Sequence, residues 1–195
     1  MTIIWAKKIE WKWNLFADDC ISIWDTKASA SKNYRKKIRK LPRTTNNVLC
    51  ASAWTCRETD YIVNLLDKKL CEKLYYTELE LLDLIQDIIV EWCKTLKEID
   101  EDNPHISLIL LDATLGACYL IEEFSVKLLT DDIECVCWCW QDLFYKIHAK
   151  ESSYTWDEKF IKDMIFTADL ADWCSLPLFI TDWEKESEVN KNPLN

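Results

Sequence analysis

The chain has 195 residues, a net charge of −10 at pH 7, 49% hydrophobic and 30% charged residues, a composition that suits one globular domain able to bury a core without covalent staples. Its single glycine, Gly116, excludes G-x-G-x-x-G and Walker-type phosphate loops, and it argues against a hairpin-rich β-protein, because hairpin turns draw on glycine for positive φ. The negative charge argues against duplex nucleic acid as a whole-surface partner.

At the N-terminus, Ile9, Trp11, Trp13 and Leu15 alternate as in a strand, whereas Trp5, Ile9, Trp13, Phe16 and Cys20 fit a helical stripe. Helix is the expectation, since a lone strand has nothing to pair with. Residues 26–57 carry nine Lys or Arg and no Asp or Glu. They read as a polar, basic, flexible loop over 26–54 after the first helix.

Four T-x-x-E capping boxes follow: Thr55/Glu58, Thr77/Glu80, Thr155/Glu158 and Thr181/Glu184. In each, the Thr hydroxyl and the Glu carboxylate satisfy donors that a helix start leaves orphaned. Asn103-Pro104 and Thr130-Asp131-Asp132 give two more start signals. The runs behind them have helical spacing. Ile62, Leu66, Leu70 and Leu74 form one stripe, and Leu81, Ile85, Ile88, Trp92, Leu96 and Ile99 another. Ile106, Ile109, Ala113, Ala117, Leu120, Phe124 and Leu128 make a third, and Phe160, Met164 and Ala168 a fourth.

The segment "IECVCWCWQDLFYKI" decides the architecture expected. Cys135, Cys137 and Cys139 alternate with bulky residues, but C-x-C-x-C is not a zinc knuckle, and His105 and His148 stand alone. Neither a metal nor a cofactor is expected. Ile133, Val136, Trp140, Phe144 and Ile147 hold a helical stripe, and the positions between are apolar too. An apolar-all-round helix is a buried one, so residues 131–148 are expected to form a central helix. The fold class is then all-α: about seven helices packed around that helix in one domain, 1–195, ending in a polar tail, 185–195. The ten cysteines, with no secretion signal recognised, read as reduced thiols of a cytoplasmic protein. No apolar run approaches ~18 residues, so no membrane span is expected. No G-x-S-x-G, H-E-x-x-H or Cys–His constellation is present, and the chain is expected not to be an enzyme.

The order of the later segments carries a resemblance. "CYLIEEFSVKLL", the junction "TDD", the all-apolar segment, "WDEKFIKDMIFTADLADWC" and "LPLFITDWEK" together resemble the Bcl family of apoptosis regulators, in a divergent poxvirus-type form. Phe124, Leu128, Leu129, Ile133, Val136 and Trp140 fall on that family's first homology motif and the start of its central helix, and Leu176, Pro177, Ile180 and Trp183 on its second motif. The family's Asn-Trp-Gly-Arg core is replaced by Thr130-Asp131-Asp132. The resemblance implies a host-modulating inhibitor of apoptosis that binds an amphipathic BH-three helix in a groove. Leu66, Leu70, Ile88, Trp92, Phe124, Leu128, Leu129, Val136 and Trp140 would be the partner-binding residues. An alternative is a Bcl-fold inhibitor of innate immune, NF-kappa-B-type signalling that binds an adaptor through a helix face. A third is nucleic-acid contact or nuclear import through the basic segment 35–43. Homodimerisation and residence in the host cytoplasm accompany these readings.

Overall fold

The computed structural model describes residues 4–23, 26–29, 37–54, 56–99, 106–122, 125–130, 134–136, 141–148, 156–170, 174 and 176–189. Its core is a pair of five-stranded antiparallel sheets, not a helical bundle. The first sheet has the order β10-β1-β2-β11-β12, from β1 (Ile4–Ile9), β2 (Lys12–Asp18), β10 (Glu134–Val136), β11 (Leu178–Thr181) and β12 (Glu186–Val189). The second has the order β5-β6-β7-β8-β9, from β5 (Ile38–Lys40), β6 (Val48–Trp54), β7 (Ile106–Asp112), β8 (Ala117–Glu122) and β9 (Ser125–Leu128). A separate hairpin joins β3 (Cys20–Ile23) to β4 (Thr26–Ser29).

The helices lie on the outer faces. α1 (Cys56–Cys71) and α2 (Glu78–Ile99) cover the second sheet, with Leu66, Leu70, Ile88 and Trp92 buried against Cys50, Leu108 and Tyr119. α3 (Gln141–His148) and α4 (Trp156–Leu170) cover the first, where Phe144, Phe160 and Met164 meet Trp5 and Phe16. Between the sheets, Ile4, Leu15 and Ala17 pack against Leu49, Ala51, Ile109, Leu111 and Leu120. Each central strand therefore splits its side chains between two cores: in β7, Leu108 and Leu110 face the helices while Ile109 and Leu111 face the other sheet.

That arrangement explains why the all-α expectation fails. A strand buried on both faces reads as a near-continuous apolar run, and in such a run any period can be found. The third stripe, Ile106 to Leu128, is a hairpin: β7 pairs with β8 from Ser107↔Glu122 to Asp112↔Ala117. The N-terminal helix is also a hairpin, with Ile4 paired to Ala17 and Ile9 to Lys12. The expected central helix 131–148 divides into β10, which pairs Val136 with Ile4, and α3; residues 131–133 and 137–140 lie outside the described residues. The stretch 26–54, expected as a loop, contains β4, β5 and β6, and β12 occupies part of the expected tail.

The glycine argument failed for a specific reason. The left-handed turn positions are filled mainly by other residues: Glu10 (φ 50°) and Trp11 (φ 68°) between β1 and β2, and Trp183 (φ 84°) between β11 and β12. Gly116 (φ 68°) serves the β7–β8 turn. A non-glycine residue there costs about 1–2 kcal/mol, which the surrounding sheet absorbs.

The helix signals succeeded where the helices are amphipathic. α1, α2 and α4 start where boxes or stripes place them. In the Thr77/Glu80 box the Thr77 N–H donates to Glu80 Oε2 at 2.7 Å and the Glu80 N–H to Thr77 Oγ1 at 3.3 Å. Thr181/Glu184 is not a helix start: Thr181 ends β11, and Asp182 Oδ1 accepts from the Glu184 and Lys185 N–H groups to close a turn.

Candidate active site

β2 ends in Asp18, and β5 begins immediately after Lys37. Asp18 is fully buried, and the Lys37 ammonium reaches its Oδ1 at 2.6 Å with both side chains nearly sealed from water. The other carboxylate oxygen, Oδ2, accepts the Cys20 N–H at 2.9 Å. Removing two charges from water costs several kcal/mol per ion, recovered when geometry is good and remaining sites are satisfied. Here both oxygens of the carboxylate have donors.

The pair borders a cleft of about 410 Å³. The cleft runs between β11–β12 of one sheet and β5 of the other. Leu49, Phe179 and Thr181 also line it, with Arg39, Lys40, Asp19 and Glu186 supplying charge. Ile4 pairs with Ala17, so the chain enters β1 beside the residue preceding Asp18. Thr2, which precedes Ile4 in the chain, lies outside the described residues.

Thiols elsewhere in the sheets are poor nucleophile candidates. Burial pushes the Cys50 thiol up to about 12 and raises Cys118 further, so both are protonated near neutrality. Tyr76 is raised as well, by burial and by donating its hydroxyl proton to Asp112 Oδ2 at 2.5 Å; it braces the β7–β8 turn, whose Thr114 and Leu115 N–H groups also bond Asp112. A second charged cluster joins α3 to α4. His148 Nδ1 lies 2.7 Å from Asp163, Lys159 Nζ lies 2.6 Å from the same oxygen, and Lys159 also donates to the His148 carbonyl oxygen. Among the described residues no group of His, Cys, Asp and Glu could hold a metal.

The residues expected to bind a partner fall in different places. Leu66, Leu70, Ile88 and Trp92 are buried between α1, α2 and the second sheet. Leu129 is buried between the sheets, while Leu128 on β9 is 40% exposed. Val136 is a residue of β10, and Phe124 and Trp140 lie outside the described residues. Asp18 and Lys37 were missed by the sequence reading. They are 19 positions apart, and Lys37 was submerged in a basic run taken for a solvated loop. Part of that run is committed: Lys37 holds Asp18, and Arg39 Nη1 holds Asp60 at 2.5 Å, while residues 30–36 lie outside the described residues.

No protein-family model matches the sequence, and no characterised protein matches it by sequence. Solved structures do match by shape. Anbu from Hyphomicrobium sp. strain MC1, a Gly-1 mutant, superposes with a TM-score of 0.66 at 15% identity, covering 98% of this chain and 88% of that one. At that identity the likeness is one of fold: this chain has the fold of Anbu. Eukaryotic HslV from Trypanosoma brucei gives a TM-score of 0.61 at 15% identity over 93% of this chain and 98% of its own. The BPH protein of Thiobacillus denitrificans, in complex with epoxomicin, gives 0.61 at 13% identity over 98% and 100%. A proteasome-like sandwich replaces the Bcl resemblance. The apoptosis-inhibitor reading, its signalling alternative and the viral, non-enzymatic character attached to them fall with the helical bundle they required. Among the described residues no helix is long and apolar enough to cross a membrane.

Proposed function

We propose that this chain is a peptidase-type amide hydrolase that uses an N-terminal nucleophile, Thr2. The observation that carries the reading is the buried Asp18–Lys37 pair, set at a cleft beside the entry to β1 in a sandwich of this fold. Hydrolysis of the bond preceding Thr2 leaves a residue that carries both a hydroxyl and a free α-amine. In that arrangement the α-amine takes the proton as the hydroxyl oxygen attacks the amide carbonyl carbon and returns it to the departing amine as the C–N bond breaks; water then hydrolyses the ester left on the threonine and frees the acid and the hydroxyl. The Lys37 ammonium, fixed by Asp18, supplies positive charge where the attacking oxygen and the tetrahedral oxyanion develop negative charge.

The test is threefold in one preparation. Mass spectrometry of the purified chain reads whether Thr2 has become the first residue. Quenched-fluorescent peptides read hydrolysis. Epoxomicin, the compound held by the Thiobacillus neighbour, is expected to bind the processed chain and not Thr2→Ala. Hydrolysis that persists unchanged in Thr2→Ala would remove the assignment.

The same reading favours a self-associating subunit. Leu74, Tyr75 and Leu79 are strongly exposed together around the α1–α2 connection, and an apolar patch of that kind is normally covered. Native mass spectrometry measures the assembly directly.

A further inference from the structure

Among the described residues that line the cleft, one cation is neither used by the proposed chemistry nor paired with a carboxylate. Four consecutive residues, Lys37 to Lys40, line it. Successive side chains of a strand point to opposite faces, so it is the edge of β5 that borders the cleft, and β5 is the outermost strand of its sheet. Of the three cations along this edge, Lys37 is consumed by Asp18 and Arg39 by Asp60. Lys40 is exposed and, among the described residues, ion-pairs with no carboxylate. Its ammonium sits 4.3 Å from the centroid of the Trp183 ring. Trp183 is half-buried against the inter-sheet core from the β11–β12 turn, so the ring on one sheet steadies a lysine on the other. The two carboxylates that share the cleft, Asp19 and Glu186, have interactions of their own.

We infer that Lys40 is a specificity residue and that the cleft takes peptides bearing an acidic side chain near the bond to be cut. This rests on the peptidase reading. Lys37 marks the reacting end, and Lys40 lies three residues further along β5. At 3.3 Å per residue that separation is about 10 Å, or three residues of an extended substrate lying along the strand edge. The preferred acid is therefore within about three positions of the scissile bond. In a chain of net charge −10, a local cation at the cleft rim also favours entry of an acidic segment over the surrounding surface.

The experiment walks a single Glu, and in a matched set a single Lys, through an otherwise neutral quenched-fluorescent peptide. The full processed chain is compared with Lys40→Arg, Lys40→Met and Lys40→Glu. The native chain should cleave its best Glu peptide about tenfold more efficiently, as kcat/KM, than the matching Lys peptide. The preference should shrink with added salt, because an exposed charge is screened. Lys40→Arg should keep it, Lys40→Met flatten it and Lys40→Glu reverse it. Fluorescence anisotropy of the same labelled peptides reads the preference independently of turnover. Equal use of Glu and Lys peptides by the native chain, or a preference that survives in Lys40→Glu, overturns the inference and leaves the peptidase reading standing. Acid-selective binding without cleavage of any peptide by a chain that begins at Thr2 counts against the peptidase reading instead.

Discussion

Among the described residues two lysine–aspartate pairs are withdrawn from water, and their surroundings differ. Asp18–Lys37 joins the ends of two strands in different sheets and borders a cleft of about 410 Å³. Lys159–Asp163 joins successive turns of α4, with His148 bonded to the same carboxylate. His148 stacks on Phe144 at 5.1 Å and meets Phe160 edge-on. The chemistry of the groups is similar. What separates a candidate site from an internal brace is the space beside it: the first pair borders a cleft, whereas the second stands against the aromatic core that fastens α3 and α4 to the first sheet.

Substitutions should pull the two regions apart. The largest effect is expected at Lys37→Met, which removes the charge while keeping an apolar stem. Peptide hydrolysis should fall by about 10²–10³-fold, measured on protein shown to be folded by circular dichroism. Asp163→Ala should do the opposite. It leaves the Lys159 ammonium buried without its carboxylate, a loss of about 3–5 kcal/mol and, for a chain of this length, of about 10 °C in Tm. Hydrolysis at 20 °C should stay within about twofold of the native rate. A loss of activity without a loss of Tm would show that the α3–α4 cluster takes part in catalysis.

The alkaline limb of stability gives a smaller effect. Burial holds the Cys50 thiol at about 12 against 9.0 for an exposed one. The unfolded chain therefore releases this proton first. The stabilisation is complete below pH 9 and is lost as pH rises toward 12, at up to about 1.4 kcal/mol per pH unit for the one group. Cys50→Ala should flatten that part of a denaturation-versus-pH series relative to the native chain. The smallest change is expected from Thr77→Ala, which opens the N-terminal cap of α2 and should cost about 1 kcal/mol, read by urea denaturation, with hydrolysis untouched.

How much could be read from the sequence follows the same division. The amphipathic helices were legible because one face is wet: Leu66 and Leu70 on α1, and Leu81, Ile85, Ile88 and Trp92 on α2, keep a helical period only because polar residues interrupt it. The sheets were not legible. "ISLILLD" and "ACYLIE" are apolar on both faces, since each strand lies between a helical layer and the opposite sheet. Turn chemistry misled as well, because Glu10, Trp11 and Trp183 occupy backbone positions that usually announce themselves by glycine. The site was hidden for a third reason. Asp18 and Lys37 come together only when β2 and β5 are placed in facing sheets, and no local spacing encodes that. Of the Cys/Trp alternation only its start lies among the described residues, where β10 pairs Cys135 with Trp5.

The most direct test of this account is the initial rate of peptide hydrolysis by the chain with Thr2 at its N-terminus, set beside that of Lys37→Met at equal folded concentration. The account predicts measurable turnover for the former and at least a hundredfold less for the latter. Equal rates in the two proteins, or no turnover in the native chain across a broad peptide library, would contradict it.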